Sequence, residues 1–406
     1  MRSLRILFIT YESHPTFRPD VATLFGKYLP RLGVGSELVT DAHAPSAGND
    51  WGGGRTWLAR APTGRLRRQL AKARHNLKTL ARVAAGDYAA VQVRDLPITA
   101  ALALLIARRK GLPFVYWMSF PLPESQIIRA RAIGPRGGAR YWFPLLQGTL
   151  GQLALYRCVL RRADHVFVQS EHMRADLATR GVPLSRTTAV PMGVDLERAR
   201  GELVAPSDDP RLQGKRVMVH LGVLERQRRS ELLLDVLALA RRQVPDLVLV
   251  LVGDTDDAEP EYRAALRARA VELGLDDAVI WTGWLPTEQG WRYLRAAQVA
   301  LSVIPRGALY DCASPTKVVE YLAFGLPVVV NDQPDQAAVV RESGCGLCVP
   351  LTAQAFAAAA TELLADPSRC AAMGRDGRQY VARQRSYEVL AARVAAEYAR
   401  LTGSAA

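Results

Sequence analysis

Short runs of Val, Ile and Leu alternate with helical patterns along most of this sequence, and this alternation restricts the possible folds more than any other feature. In the first half the runs cover residues 5–10, 36–40, 89–93, 113–117 and 165–169. In the second half they cover residues 216–221, 247–252, 279–282, 299–304 and 326–330. Strands that alternate with helices predict parallel sheets with helices on both faces. We therefore predict an α/β protein, and its 406 residues are enough for two such domains.

A stretch rich in proline and glycine, residues 190–210, separates two halves that differ in charge. Residues 1–190 contain 28 Lys and Arg but 11 Asp and Glu, a net charge of +17, whereas the whole chain has a net charge of +14. The second half is therefore slightly acidic. We predict domains at residues 1–190 and 191–385, and we expect the basic half to face an anionic partner.

Residues 310–330, YDCASPTKVVEYLAFGLPVVV, have the pattern of a loop, a helix that ends at Gly325 and a buried strand. Pro315 suits the first helical turn. A helix N-terminus favours a phosphate through its backbone N–H groups and its dipole, and Lys317 could add a positive charge. Glu320 could accept hydrogen bonds from sugar hydroxyls. An ordinary helix with Lys317 and Glu320 on a solvated face fits the same residues, so the residues alone leave both interpretations open.

The pattern S-P-x-K-x-x-E-Y-x-A-x-G-x-P-V-V, which begins at Ser314, resembles the retaining glycosyltransferases of family 4, which have the GT-B fold. The resemblance covers residues 215–385 well and the first half in outline. It implies two Rossmann-like, doubly wound domains that face each other across a cleft, with a C-terminal helix at residues 386–406 that crosses back to the first domain. It also implies a hexosyltransferase that moves a sugar from a nucleotide-sugar donor, bound by the second domain, to an acceptor on the first, with retention of configuration.

The resemblance also implies which residues line the donor site. Glu320 matches the second of two glutamates in the family's site and would bind the nucleotide ribose. The first glutamate is replaced by Cys312, next to Asp311, and these two positions are the catalytic candidates. Arg228 falls on the position of a lysine that binds the donor diphosphate, and Arg226 could replace the family's arginine. The predicted donor-binding residues are Gly222, Arg226, Arg228, Trp284, Ser314, Pro315, Thr316, Lys317 and Glu320.

Some of these assignments have an alternative. The arginines could be ordinary surface residues of a loop, and Trp284 could stack on the nucleotide base or belong to the core. Guanidinium groups suit a diphosphate because they bind it in bidentate geometry and do not titrate. Because Arg228, Lys317 and a helix N-terminus could together neutralise the leaving diphosphate, we predict no metal and no cofactor besides the nucleotide-sugar substrate.

The acceptor site is expected in the first domain, at the carboxyl ends of its strands, where ligands of such sheets gather. His14 and Arg18 follow the first predicted strand, and Ser119 follows the fourth. These three residues are the acceptor-binding candidates. The glycine pair and the histidine that family members often have in these loops are missing here, so the resemblance does not assign the acceptor contacts.

Residues 50–87 form a basic segment between the second and third predicted strands, which we interpret as an insertion. From Arg55 to Arg82 there are nine Lys or Arg and no acidic residue. The apolar residues of this helical pattern share one face, and they are Leu66, Leu70, Ala73, Leu77 and Leu80. Such a helix suits an anionic membrane surface, but a solvated helix that packs its leucines on the domain also fits. A second basic cluster beside apolar residues favours the membrane; it comprises Ile127, Ile128, Arg129, Arg131, Arg136, Arg140, Tyr141, Trp142 and Phe143.

The five cysteines are few and odd in number, which favours a reduced compartment. The single Cys345-x-x-Cys348 pair is interpreted as incidental and not as a metal site. No signal peptide or membrane-spanning segment is predicted. We expect a cytoplasmic protein, or one peripheral to the inner face of the membrane, with a role in cell-surface polysaccharide or glycolipid assembly.

Two other function classes remain open. The replacement of one glutamate by Cys312 fits a nucleotide-sugar-binding protein with weak or no transferase activity. The basic half could instead bind nucleic acid, but the sequence contains no known nucleic-acid-binding motif, so we expect no nucleic-acid partner.

Overall fold

The computed structural model describes residues 4–42, 50–59, 65–84, 86–257 and 259–403. The chain divides into two compact units: unit 1 is Met1–Met192 with Tyr387–Ala406, and unit 2 is Gly193–Ser386. Each unit is built on a parallel sheet covered by helices. The prediction of two Rossmann-like α/β units is therefore confirmed.

Unit 1 contains a seven-stranded parallel sheet in the order β3-β2-β1-β4-β5-β6-β7. Its strands are β1 (Leu4–Thr10), β2 (Val34–Asp41), β3 (Thr56–Ala59), β4 (Ala90–Arg94), β5 (Phe114–Met118), β6 (His165–Val168) and β7 (Thr187–Ala189). Its helices before residue 193 are α1 (Pro19–Ala22), α2 (Leu29–Arg31), α3 (Arg65–Arg82), α4 (Pro97–Arg109), α5 (Leu122–Ile133), α6 (Ala139–Gln152), α7 (Leu160–Arg162) and α8 (Glu171–Thr179).

Unit 2 contains a six-stranded parallel sheet in the order β10-β9-β8-β11-β12-β13. Its strands are β8 (Arg216–Leu221), β9 (Leu247–Val252), β10 (Val279–Gly283), β11 (Val299–Ser302), β12 (Val328–Val330) and β13 (Gly346–Cys348). Its helices are α9 (Leu232–Ala240), α10 (Pro260–Glu272), α11 (Thr287–Ala296), α12 (Thr316–Ala323), α13 (Pro334–Ser343), α14 (Ala353–Ala365) and α15 (Pro367–Tyr380).

Both faces of the unit 2 sheet are buried, which explains why its strands are continuous apolar runs rather than alternating ones. In β9, Leu249 packs in one hydrophobic cluster and its neighbour Val250 packs in a second cluster. Successive side chains of a strand point to opposite faces, so the two clusters lie on opposite sides of the sheet.

The chain returns to unit 1 through the C-terminal helix α16 (Tyr387–Thr402). Leu390, Val394 and Tyr398 are buried in the same cluster as Phe8 and Trp117 of the unit 1 strands. The Tyr398 hydroxyl also donates a hydrogen bond to the buried side chain of Gln92. The last helix is therefore part of the unit 1 core.

The basic segment at residues 50–87 contributes to the fold of unit 1, because β3 pairs with β2 in parallel register. Helix α3 is held by its polar side: Arg68 Nε and Lys72 Nζ lie 2.9 and 2.8 Å from the carboxylate of Asp41. Leu80 is buried, but Leu70 and Leu77 are 62% and 41% exposed. The alternative in which α3 packs all its leucines on the domain is therefore wrong.

The strand order of each sheet reverses at one place, between β1 and β4 in unit 1 and between β8 and β11 in unit 2. In open parallel sheets, ligands bind at the carboxyl ends of the strands beside this reversal. Within the described ranges, no helix is long and apolar enough to span a bilayer.

Candidate functional site

The turn that follows β8 forms the floor of the candidate site in unit 2. Gly222 has a φ of 129°, a conformation that side-chain-bearing residues rarely adopt. A Cβ atom at this position would lie 3.4 Å from Lys317 Nζ and 3.5 Å from its Cε. Because residue 222 has no side chain, the backbone of this turn can lie close to Lys317.

Helix α12 begins beside this turn, next to the strand reversal of unit 2. Pro315 precedes its first turn, and no side chain caps the helix there. The Tyr321 hydroxyl accepts a 2.7 Å hydrogen bond from the Leu221 N–H and donates a 3.3 Å hydrogen bond to the Leu301 carbonyl. This buried tyrosine ties α12 to β8 and β11, so the helix start is fixed relative to the carboxyl edge of the sheet.

Lys317 is buried inside this arrangement rather than exposed on a solvated face. Its Nζ lies 3.2 Å from His220 Nε2, and His220 Nδ1 lies 3.0 Å from the Leu301 carbonyl oxygen. Burial lowers the pKa of Lys317 to about 7; the charge of Arg228 acts in the same direction, and Glu225 and Glu320 oppose it. Within the described ranges no ion pair joins Lys317 to a carboxylate, so the protonated side chain favours an anionic ligand.

Glu320 lies one turn further along α12 and is partly buried. Its Oε1 accepts a 3.1 Å hydrogen bond from Trp291 Nε1. Burial raises the pKa of Glu320 to about 7, although the hydrogen bond from Trp291 and the charge of Lys317 act in the opposite direction. The Glu320 carboxyl group is therefore oriented by a buried indole.

The two predicted arginines behave differently. Arg228 forms an ion pair with Glu225 (Nε to Oε2, 2.9 Å), and its charge acts on both Lys317 and Tyr310. Arg226 instead packs over the ring of Tyr262, with 4.7 Å between its Cζ and the ring centroid. The structure therefore places Arg228 near Lys317, whereas Arg226 has an aromatic partner of its own.

Ser314, a predicted donor-binding residue, anchors the loop before α12 together with Asp335 and Arg385, which were not predicted from the sequence. The Ser314 hydroxyl donates a 2.7 Å hydrogen bond to Asp335 Oδ2, and Arg385 NH2 lies 2.8 Å from Asp335 Oδ1. All three residues are buried. Ser314 therefore holds the loop in place, while Pro315 and Thr316 are partly exposed at the helix start.

The two catalytic candidates are both engaged within the protein. Asp311 forms an ion pair with Arg306, with 2.8 Å between Oδ1 and Nε. Cys312 is buried. Trp284, which follows β10, is 56% exposed, so the alternative that it belongs to the core is wrong.

In unit 1, the three acceptor candidates lie in different surroundings. Ser119 is buried, and both its N–H (2.8 Å) and its hydroxyl donate to Asp95. His14 is buried with its ring 6.3 Å from that of Trp51. Arg18 is exposed and forms a 3.1 Å ion pair with Glu12. Only Arg18 is thus placed at the surface of its loop.

A buried charge cluster at the strand reversal of unit 1 was not predicted from the sequence. Arg94 is fully buried, and its guanidinium lies 2.7 Å from Asp20 Oδ2, 3.1 Å from Glu12 Oε1 and 3.9 Å from Asp95 Oδ2. Burial would lower the pKa of Arg94, but these carboxylates outweigh it and raise the pKa. The signal in the sequence was the Arg94-Asp95 pair directly after an apolar strand.

Both units match known sequence families. Residues 207–380 match the family described as "Glycosyl transferases group 1", and residues 21–193 match the family described as "Glycosyl transferase 4-like domain". The two matches together cover most of both units.

A characterised relative is the GDP-mannose-dependent alpha-(1-6)-phosphatidylinositol monomannoside mannosyltransferase of Mycobacterium tuberculosis. It is 31% identical over 253 residues, which are 60% of this chain and 64% of that enzyme. The chain therefore covers less than two thirds of the relative's length.

Solved structures share the fold at lower sequence identity. The Anabaena protein HepE in complex with UDP superposes with a TM-score of 0.72 at 15% identity, over 98% of this chain and 100% of that one. The sucrose-phosphate synthase of Thermosynechococcus elongatus has a TM-score of 0.73 at 20% identity, over 99% of this chain and 100% of that one. These likenesses concern the fold of the two units.

Proposed function

Because the chain belongs to the family 4 glycosyltransferases with the GT-B fold, we propose that it is a retaining hexosyltransferase. Unit 2 binds a nucleotide-sugar donor, and the acceptor is a glycan or a lipid-linked glycan. The observation that carries this proposal is the site at the strand reversal of unit 2, where the Gly222 turn meets the buried Lys317 and the oriented Glu320. The protein would serve in the assembly of a cell-surface polysaccharide or glycolipid.

Each group of the site has a role in this proposal. The departing diphosphate gains negative charge as the bond to the sugar breaks, and Lys317, Arg228 and the uncapped start of α12 stabilise that charge. Glu320 accepts hydrogen bonds from the ribose hydroxyls, and the exposed Trp284 offers a stacking surface to the base.

In the described residues, no three His, Cys, Asp or Glu side chains are grouped as metal ligands would be. We propose that cationic side chains neutralise the diphosphate.

We propose Asp311 and Cys312 as the positions that face the donor sugar, in the place of the family's first glutamate. The Asp311 carboxylate is paired with Arg306, and Cys312 is buried and has a thiol instead of a carboxylate, so neither position offers the sugar hydroxyls the unpaired carboxylate that a glutamate would. A nucleotide-sugar-binding protein with weak or no transferase activity is therefore the second candidate function.

A transfer experiment distinguishes these functions. The full chain is mixed with UDP-, GDP-, dTDP- or ADP-sugars, and the donor that raises the melting temperature is then tested for sugar transfer to phosphatidylinositol monomannoside and to membrane lipid extracts. GDP-mannose is included because the mycobacterial relative is named for it. We expect stabilisation by one donor and transfer of its sugar. Stabilisation without transfer or donor hydrolysis favours the binding protein, and no stabilisation by any donor contradicts the whole proposal.

A matched pair of variants locates the site. Lys317→Met removes the buried ammonium, and Lys215→Met makes the same change at an exposed lysine of unit 2. A donor present at about 100 times its dissociation constant stabilises the fold by about 2.7 kcal/mol. We expect Lys317→Met to lose that stabilisation and Lys215→Met to keep it.

We further propose that unit 1 lies on an anionic membrane surface at the cytoplasmic face, where a lipid-linked acceptor would be found. On α3, the exposed Leu70 and Leu77 are flanked by the exposed Arg67, Arg74 and Lys78. An apolar stripe beside a basic flank suits insertion of leucines among lipids and attraction of the flank to anionic headgroups.

A second exposed stripe supports the same proposal. On α6, the exposed apolar side chains are Trp142, Phe143, Leu146 and Leu150. Arg136 and Arg140 are exposed at its start. Of the apolar neighbours on α5, Ile128 is exposed but Ile127 is buried. Contiguous exposed apolar residues of this kind mark an interaction surface.

A further inference from the structure

The environment of Lys317 differs from that of an ordinary buried lysine. Buried lysines are normally paired with a carboxylate. Here the hydrogen-bond partner of Nζ is an imidazole nitrogen, His220 Nε2, at 3.2 Å. Among the residues that the structure describes, no carboxylate lies within ion-pair distance of Nζ, and Glu225 and Glu320 act on it only from further away. In the part of the chain that the structure describes, the ammonium is thus buried without a counter-ion.

The hydrogen bonds of His220 determine which nitrogen carries its proton. Nδ1 lies 3.0 Å from the Leu301 carbonyl oxygen, which can only accept. Nδ1 therefore donates, and Nε2 presents its lone pair to Lys317. Burial keeps the pKa of His220 well below its usual value, and the charge of Lys317 acts in the same direction. The ring therefore stays neutral and accepts a hydrogen bond from the lysine.

The turn after β8 approaches Lys317 Nζ closely. Gly222 lies against Nζ, and the Cβ of any other residue there would sit 3.4 Å away. The start of α12 lies beside the same turn, since Lys317 is the second residue of that helix. An anion at the Gly222 turn would therefore meet both the ammonium and the positive end of the helix dipole.

We propose that His220 is a positioning residue that holds Lys317 Nζ at the Gly222 turn for the donor diphosphate, and that Lys317 takes up a proton when the diphosphate binds. This inference rests on the proposed function, in which unit 2 binds a nucleotide sugar. Without ligand, burial, assisted by the charge of Arg228, lowers the pKa of Lys317 to about 7, so part of the lysine population is uncharged at neutral pH. The bound diphosphate supplies the missing counter-ion, so it raises the pKa of the lysine.

The affinity for the donor depends on pH through Lys317. The charged lysine favours the anion, so the affinity is highest at a pH below the pKa that Lys317 has in the ligand-free protein. It falls as the pH rises above about 7, because the lysine must then be charged at a cost. Glu320 titrates in the same range and opposes this trend, since ribose binding favours its ionised form. The test therefore uses Glu320→Gln, which does not titrate.

Isothermal titration calorimetry of the full chain measures the proton directly. GDP-mannose and UDP-glucose are the probes, because their diphosphate diesters do not titrate near neutral pH. Each titration is repeated in two buffers of different ionisation enthalpy. In the Glu320→Gln protein we expect uptake of a fraction of a proton at neutral pH and a larger uptake at higher pH. Lys317→Arg in the same background should bind without uptake, because a guanidinium stays charged.

Two variants test the role of His220. His220→Gln keeps a neutral donor and acceptor at this position, and His220→Leu removes both. We expect His220→Leu to weaken binding about tenfold near neutral pH, the value of a hydrogen bond to a charged group, and to shift the pH profile to lower pH. We expect His220→Gln to retain most of the affinity and most of the original pH profile. A merely structural role would lower the melting temperature of both variants and leave the pH profile unchanged.

Three results overturn the inference. Binding without proton uptake in the Glu320→Gln protein excludes a titrating Lys317, although the proposed function survives. An unchanged affinity and pH profile in His220→Leu excludes the positioning role. Absence of binding by every nucleotide sugar overturns both this inference and the proposed function.

Discussion

The indole of Trp291 orients the carboxylate of Glu320, which we propose as the group that binds the ribose. Trp291 donates to Glu320 and thereby lowers a pKa that burial raises to about 7. Trp291→Phe should raise this pKa further, so the fraction of Glu320 that is ionised at neutral pH falls. We expect nucleotide-sugar affinity near pH 7 to be several-fold below that of the unchanged protein, and this difference to shrink at a higher pH, at which Glu320 is ionised in both proteins. Calorimetric titration of both proteins across pH measures this, and Trp291→Phe added to Glu320→Gln should show no such pH-dependent difference from Glu320→Gln alone.

Gly222 is the residue that leaves room beside Lys317. Gly222→Ala should add strain at a φ of 129°, of the order of 1–3 kcal/mol, and should fill the space next to Nζ. We expect both a lower melting temperature and loss of nucleotide-sugar binding. Gly214→Ala is the matched control, because Gly214 has a φ of 67° and a Cβ added there would meet no atom within 4 Å. It should lose stability and keep binding; equal binding by both variants would contradict the placement of the site.

The sequence predicted the lysine and the glutamate of the site but not their partners. Lys317 and Glu320 belong to a local motif, and the resemblance of that motif to a known family pointed to them. His220 lies in an apolar strand and Trp291 in a helix whose pattern is ordinary. Their contacts join positions far apart in the chain, and periodicity carries no information about which distant residues meet.

At the scale of elements, α12 depends on the loop that leads into it. Ser314, Asp335 and Arg385 form a buried network under this loop. Arg385→Leu should leave Asp335 as a buried charge without its partner, which costs about 3–5 kcal/mol of unfolding free energy. The control is Arg369→Leu, which breaks an exposed pair with Glu362 and should cost at most about 1 kcal/mol. Urea denaturation measures the free energy of unfolding of both variants. Equal losses of this free energy would show that the network does not stabilise the loop.

Element positions were predicted well where strands are long and buried. The limits of β8 and β9 match the apolar runs, because both faces of these strands are covered. The strands β3, β7 and β13 were not predicted, since three or four residues at a sheet edge carry little pattern. For α3, periodicity revealed an amphipathic helix but not which face is docked. The ion pairs of Arg68 and Lys72 with Asp41 decide that, and they are tertiary contacts.

For the whole molecule, the uneven charge and the exposed stripes act together. Residues 1–190 hold 28 basic and 11 acidic residues, so long-range attraction to anionic lipid would bring unit 1 to a membrane. The exposed leucines of α3 and the exposed aromatic residues of α6 would then insert among the lipids. Attraction between charges is screened by salt over about 10 Å at an ionic strength of about 0.1 M, whereas insertion of apolar groups is not. The electrostatic and the apolar contributions to membrane binding can therefore be separated by varying the salt concentration.

Flotation with vesicles tests this at the level of the full chain. We expect binding to vesicles that mix phosphatidylglycerol with phosphatidylcholine, weaker binding in high salt, and little binding to phosphatidylcholine alone. Leu70→Asp with Leu77→Asp should reduce binding about tenfold or more, because burying each leucine is worth about 1.5–3 kcal/mol. Leu203→Asp is the matched control, since Leu203 is a 69% exposed leucine of unit 2. If the double variant floats as well as this control, α3 is not the membrane-binding helix and the exposed leucines need another partner.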